Sequence, residues 1–209
     1  MLTKKDTVII LKSINYSEAD KILTVFGRNR GKFSIIAYGI RKIKSKNRGN
    51  LQTLCLSEIS YSEGKSLAIL KESNLIHTID FKQADVQNIH RILFLLNTFL
   101  PEDTPEPEIF DTAVRLIGSR FADEKIDKFR LYFLEKAGFI PSYKNCSNCA
   151  KSEDISHINP NSFELMCSGC YNDSTDPDHK LHSKFKSISD IKKSVGLSQL
   201  IDKFIENIL

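Results

Sequence analysis

Lys21-Ile-Leu-Thr-Val-Phe-Gly-Arg-Asn-Arg-Gly-Lys-Phe-Ser-Ile-Ile-Ala-Tyr-Gly39 is the stretch on which the fold turns. Its first part alternates, with Ile22, Thr24 and Phe26 on one face and Leu23 and Val25 on the other, which is the period of a strand with two faces. Gly27 and Gly31 bracket a turn, Phe33 opens another strand that runs to Tyr38, and Gly39 ends it. Upstream, Thr7–Ile14 is rich in β-branched residues. Downstream, Leu54–Tyr61 and Leu67–Leu70 flank Glu63-Gly64-Lys65, a hairpin signal. Five short strands with tight turns in the first eighty residues predict a small closed β-barrel. The OB-fold is a common barrel of this size, although periodicity by itself does not single it out.

From Asp85 the period changes to that of a helix, with Val86, Ile89, Ile92, Leu93, Leu96 and Phe99 on one stripe. Pro101–Pro105 breaks it, and Pro105 suits the first turn of the next helix, which runs to about Gly118 through Ile109, Ala113, Leu116 and Ile117. A third helix over Asp123–Ala137 turns Ile126, Phe129, Phe133 and Leu134 inward and stops at Gly138. Another helix starts near Ser189, and a last one spans Ser198–Ile208. The expected class is therefore α+β, a five-stranded barrel over residues 1–80 followed by a helical domain over 81–209.

Four of the five cysteines fall into Cys146-x-x-Cys149 and Cys167-x-x-Cys170. Two intervening residues let both thiolates of a pair turn onto one ion, and the ribbon between the pairs completes a tetrahedron. The spacing predicts one structural zinc ion within residues 146–170. Four thiolates leave no open position for substrate, and a redox reading of the dithiols lacks its βαβ context. His157 lies between the pairs and is not needed as a ligand. His179 and His182, beside Asp176 and Asp178, read as a solvated loop, and His77 and His90 as surface or helix-face positions. Cys55, alone in a β-like segment, reads as an inert buried thiol.

The remaining signal is charge. The chain of 209 residues carries a net +4, but residues 1–80 hold 14 Lys and Arg against 7 Asp and Glu, while the rest hold 16 against 19. Between Asp20 and Glu58 no acid interrupts nine basic residues. Such a head suits a polyanion. Arg28, Arg30 and Lys32 flank the glycine turn, and Arg41, Lys42, Lys44, Lys46 and Arg48 follow the third strand in a Gly-, Ser- and Asn-bearing loop able to track a nucleic-acid backbone. Phe33, Tyr38 and Tyr61 are residues that stack on bases or fill a barrel, and the core reading is favoured for each. No phosphate loop, nucleophile elbow or zincin helix is present, so no enzymatic chemistry is expected. No signal peptide is legible and the apolar run Ile92–Leu100 is too short for a membrane span, which reads as a soluble cytoplasmic protein.

Val8-Ile9-Ile10-Leu11, Tyr16-Ser17-Glu18-Ala19-Asp20, Leu23-Thr24-Val25-Phe26, Gly31-Lys32 and Ala37-Tyr38-Gly39-Ile40-Arg41-Lys42 together resemble the N-terminal barrel of the bacterial RecO family of DNA repair proteins. Phe133-Leu134-Glu135-Lys136-Ala137-Gly138-Phe139-Ile140-Pro141, followed by the cysteine pairs, is similar to that family's entry into its zinc knuckle. The resemblance implies an OB-fold head, a helical body with a zinc finger, and a recombination mediator without turnover. It further implies binding of single- and double-stranded DNA, annealing, and action with RecR, with the C-terminal tail of the single-strand binding protein and, indirectly, with RecA. Binding to DNA is carried onto the basic residues from Arg28 to Arg48. The chain departs from the pattern in lacking a proline near Asn50-Leu51-Gln52, in having Ala150 where a glycine follows the first cysteine pair, and in Glu164-Leu165-Met166 before the second. From the residues alone, an RNA-binding zinc-ribbon protein of the translation apparatus is the alternative.

Overall fold

β1 (Thr3–Tyr16) is long enough to serve two neighbours: its first half pairs with β4 (Leu56–Ser62) and its second with β2 (Asp20–Gly27). A bulge between Ile10 and Lys12 gives the strand the bend that this double duty needs. β2 continues to β3 (Gly31–Ala37), and β3 pairs in parallel with β5 (Ala68–His77), which returns antiparallel to β4. The ring β1-β2-β3-β5-β4 closes on itself as a five-stranded OB-fold barrel. This structure, a computed structural model, describes residues 2–79, 85–119, 123–141, 144–159, 161–175, 183–184 and 195–209.

The alternation seen in the sequence becomes an inside and an outside. Val8, Ile10, Leu23, Val25, Phe33, Ile35, Ile59 and Tyr61 fill the barrel. Burying each large apolar side chain contributes about 1.5–3 kcal/mol. On the outer face the register aligns Ile14 with Ile22, Ile22 with Ile36 and Ile36 with Ile69, so four isoleucines form one row across β1, β2, β3 and β5. β5 runs seven residues beyond the expected Leu70, because β4 needs a partner along Leu56–Ser60 and takes Glu72–His77.

The chain divides into two compact units, Met1–Ala122 and Asp123–Leu209. The first takes in two helices as well as the barrel. α1 (Val86–Phe99) is capped by Asp85, whose carboxylate accepts from the Gln87 amide. α2 (Pro107–Ile117) has Pro107, not Pro105, in its first turn. Each proline pushes the residue before it out of the helical region, so the helix begins at the second one, after Glu106. Phe110 of α2 meets Phe26 of the barrel edge-to-face, with ring centres 5.3 Å apart.

In the second unit α3 (Asp123–Lys136) ends where Gly138 adopts φ +79° and the Phe139 amide donates back to the Leu134 carbonyl. Ile126, Phe129, Phe133 and Leu134 are buried as expected. So is Arg130, whose guanidinium donates to Asp127 on its own helix and to Asp202. β6 (Ile155–Ile158) lies between β7 (Leu165–Cys167) and the two-residue β8 (Ser183–Lys184), α4 (Ser168–Asp173) follows β7, and α5 (Val195–Asn207) contains Asp202. Phe163 packs edge-to-face on Phe204 of α5 at 5.0 Å. His179, His182 and the expected helix start at Ser189 lie outside the described residues.

Candidate metal centre and nucleic-acid interface

Cys146 and Cys149 sit on a tight turn in which the Ala150 amide donates to the Cys146 carbonyl, while the Cys146 amide donates to Lys151. Cys167 ends β7 and caps α4, and Cys170 lies one turn into that helix. The four sulfurs lie within 4.8 Å of one another, and Cys149 Sγ is 3.8 Å from Cys167 Sγ. Metal–sulfur bonds of about 2.3 Å in a tetrahedron place sulfurs about 3.8 Å apart, so the donor set fits a thiophilic ion with little movement. Burial opposes ionisation of Cys146, but the amides of Cys167, Cys149 and Asn148 outweigh it and bring that thiol down to about 6. Cys170 is pushed up to about 12, chiefly by hydrogen bonds with the Cys167 and Cys149 sulfurs. Four converging thiols cannot all ionise alone, and a dication supplies the missing charge. The four cysteines can thus hold a metal ion. His157 stands apart from them: it stacks on Tyr171 at 3.6 Å and its Nδ1 meets Ser156 Oγ at 2.8 Å.

The eight basic residues singled out in the sequence fall into two groups at opposite ends of β3. Arg28 and Arg30 belong to the β2–β3 turn and Lys32 to the start of β3, and the protein's own carboxylates engage all three. Arg28 makes a two-pronged pair with Asp111 at 2.8 and 3.0 Å, which holds the Asp111 carboxyl below the usual carboxylate range. Arg30 reaches Asp103 at 2.6 Å and Glu63 at 3.3 Å, and its guanidinium lies 4.4 Å over the Phe33 ring. Lys32 is buried, donating to the Asn97 carbonyl at 2.7 Å, with Glu102 at 3.4 Å. Asp6 fixes the turn by accepting from the Asn29 and Arg30 amides, and burial pushes its carboxyl up against those donors. Sequence placed these three cations with the DNA contacts; Lys32 in particular faces inward, because α1 and the segment before α2 close over it.

The other group is open. Arg41, Lys42, Lys44, Lys46 and Arg48 are all exposed on the segment between β3 and β4. Lys42, Lys44, Lys46 and Arg48 form no ion pair among the described residues, and the Arg41 guanidinium donates to the Ser17 carbonyl. The segment is not a slack loop, as its composition suggested. Successive turns link Lys42 to Gly39, Ser45 to Lys42, Arg48 to Ser45 and Asn50 to Asn47. Ile40 and Leu51 join the barrel core beneath them. Leu54 is fully buried at φ +60°, a strained conformation for a branched residue. The Gly39 amide donates to Asp20 Oδ1 and the Arg41 amide to the Ala19 carbonyl, so the basic segment is riveted to the β1–β2 turn.

Of the candidate stacking aromatics, Phe33 and Tyr61 are barrel core at 1% and 3% exposure, whereas Tyr38 is 61% exposed. Tyr16, which the sequence reading passed over, is 51% exposed on the same outer face. Its signal was the in-register position two residues past Ile14, visible only once β1 is paired. Among the described residues no helix is long and apolar enough to cross a membrane.

Residues 1–79 match the family model described as recombination protein O, N terminal. The chain is 27% identical over 180 residues to the DNA repair protein RecO of Dehalococcoides mccartyi (strain 195), covering 82% of this chain and 71% of that protein. It is 25% identical over 176 residues to the RecO protein of Syntrophomonas wolfei, covering 79% and 69%. With the RecO protein of Desulforamulus reducens it shares 31% identity over 147 residues, covering 68% and 57%.

Proposed function

The chain belongs to the RecO family of DNA repair proteins, and we propose that within it this protein is a DNA-binding recombination mediator that works without catalytic turnover. In this reading it binds single- and double-stranded DNA and anneals complementary strands. With RecR and the C-terminal tail of the single-strand binding protein it helps load the RecA recombinase onto covered strands. Its place is the bacterial cytoplasm, at the nucleoid. Residues 1–80 form the nucleic-acid-binding domain, and residues 81–209 the helical domain that meets the protein partners.

The observation that carries the reading is the row of five exposed cations, Arg41, Lys42, Lys44, Lys46 and Arg48, on an anchored segment of the barrel. Phosphates supply affinity to such a surface without regard to sequence. Arg28, Arg30 and Lys32 have a different task in this proposal: they hold the far end of the barrel to α1, α2 and the residues between them. The metal is one zinc ion with a structural role, since four thiolates complete its shell and leave no site for water or substrate. The names of the relatives point to DNA repair, which draws the reading away from the translation apparatus.

Gel shifts and strand annealing with complementary oligonucleotides, with and without single-strand binding protein, test the function. Parent protein is expected to shift both single and double strands and to accelerate annealing. A variant with Arg41, Lys42, Lys44 and Lys46 all changed to Glu is expected to do neither; undiminished binding by that variant refutes the assignment. Metal analysis tests the zinc, with one ion per chain expected and loss on Cys149→Ser; only trace metal in the parent rejects it.

A further inference from the structure

The barrel's outer face beside the basic segment bears two half-exposed aromatic rings. Tyr16 on β1 pairs with Asp20 on β2, and Lys21 pairs with Ala37, so Tyr38 adjoins Asp20 from the other side. Both tyrosines project outward, each two residues past an isoleucine of the outer row, Ile14 and Ile36. Asp20 lies between them, and its Oδ1 accepts the Gly39 amide at 2.7 Å, which draws its charge toward the backbone of the basic segment. Adjacent strands lie about 4.8 Å apart, so the two tyrosine Cα positions are roughly 10 Å from each other. That span suits two bases of an extended strand.

We propose that Tyr16 and Tyr38 are stacking platforms for bases of a single strand whose phosphates lie along Arg41–Arg48, so that this face distinguishes single from double strands. The inference rests on the DNA-binding reading above and deepens it. Three observations support it. The rings are solvent-facing, where a tyrosine filling a core would be covered, as Tyr61 is at 3%. The platform and the cations form one rigid piece, because Arg41 donates to the Ser17 carbonyl and its amide to Ala19 in the turn that carries Tyr16. Ile14, itself half-exposed, extends the apolar surface beside Tyr16, and the neighbouring cations select a polyanion, not an apolar protein surface, as the occupant. Stacking needs an open base face, which a strand offers and a duplex keeps inside its own stack. The phosphate contacts are common to both.

The test compares fluorescence anisotropy of labelled oligo-dT, an abasic phosphodiester strand of the same length, and a duplex, at one salt concentration. Parent protein is expected to favour oligo-dT over the abasic strand. Tyr16→Ala and Tyr38→Ala are each expected to weaken oligo-dT binding by roughly five- to a hundredfold, while Tyr16→Phe and Tyr38→Phe retain it. All four variants keep the parent's affinity for abasic strand and duplex and its melting temperature, since neither ring is packed in the core. Equal binding of oligo-dT and abasic strand by the parent overturns the proposal, as does full oligo-dT affinity in the doubly alanine-substituted protein. If the parent binds none of the three probes, the DNA-binding reading itself falls.

Discussion

The dependence of DNA binding on salt counts the cations that meet phosphate, and the sequence and the structure give different counts. The sequence offers eight candidates, Arg28, Arg30, Lys32, Arg41, Lys42, Lys44, Lys46 and Arg48. The structure pairs the first three with Asp111, Asp103, Glu63 and Glu102 and leaves the other five without an ion pair among the described residues. On a single strand each neutralised phosphate contributes about −0.7 to the slope of log K against log salt. Five contacts give a slope of about −3.5, eight about −5.6. Between 50 and 200 mM salt the first figure means a loss of about a hundredfold in affinity, the second over a thousandfold. Anisotropy titrations of a labelled oligonucleotide at five or six salt concentrations separate the two. Changing Lys42, Lys44, Lys46 and Arg48 to Gln should flatten the slope to about −0.7, leaving the melting temperature unchanged because none of the four side chains braces the fold. Changing Arg28 to Gln should leave the slope alone. A parent slope near −5.6, or a marked flattening by Arg28→Gln, would refute the reasoning that internal ion pairs remove a cation from the interface.

Gly31→Ala should lower stability by about 3 kcal/mol, because Gly31 stands at φ +87° and a Cβ there runs into the Thr104 carbonyl. Gly39→Ala, at φ +65° with only Lys42 nearby at 3.7 Å, should cost about 1–2 kcal/mol; equal losses in urea titrations would dismiss the close approach as the cause. Ala150→Gly should strengthen metal retention against a chelator, since Ala150 holds φ +59° in the turn between the cysteine pairs; faster metal loss would contradict this. For Asp111, whose folded carboxyl is held low mainly by the hydrogen bond from Arg28, the stabilisation is present above the unfolded value of 3.8 and fades as pH falls through the folded one. Asp111→Asn should therefore melt about a degree below the parent at pH 7 and together with it near pH 2, and a gap that persists in acid excludes the ion pair as its source.

The barrel was largely legible because alternation of Leu23 and Val25 against Ile22 and Thr24 is a direct image of inside and outside. The metal site was legible because two short cysteine spacings constrain geometry locally. The end of β5 was not, since Lys71–His77 is mostly exposed and its strand state comes from pairing with β4, not from its own pattern. Nor were the partners of Arg28, Arg30 and Lys32, which lie between residues 63 and 111 and arrive through folding. Asp6 and Asp20 each anchor a turn by accepting backbone amides from residues 19 or more positions away, which no local pattern announces. Arg130 was missed because an arginine at 1% exposure runs against the usual preference of that residue and depends on carboxylates from two helices.

With Arg28, Arg30 and Lys32 paired at one end of β3, and Arg41–Arg48 without ion pairs among the described residues at the other, these eight cations give the barrel a charge asymmetry along β3. The seven residues of β3 set the two ends about 20 Å apart, two Debye lengths or more at about 0.1 M salt. An approaching polyanion therefore feels one pole and hardly the other, and its field exerts a torque on the barrel before any contact is made. Encounters begin with the basic end leading, so rotational search, which slows most specific associations, is shortened by the charge layout itself. In the proposed interface, the acids that pair with Arg28, Arg30 and Lys32 thus aim the five remaining cations.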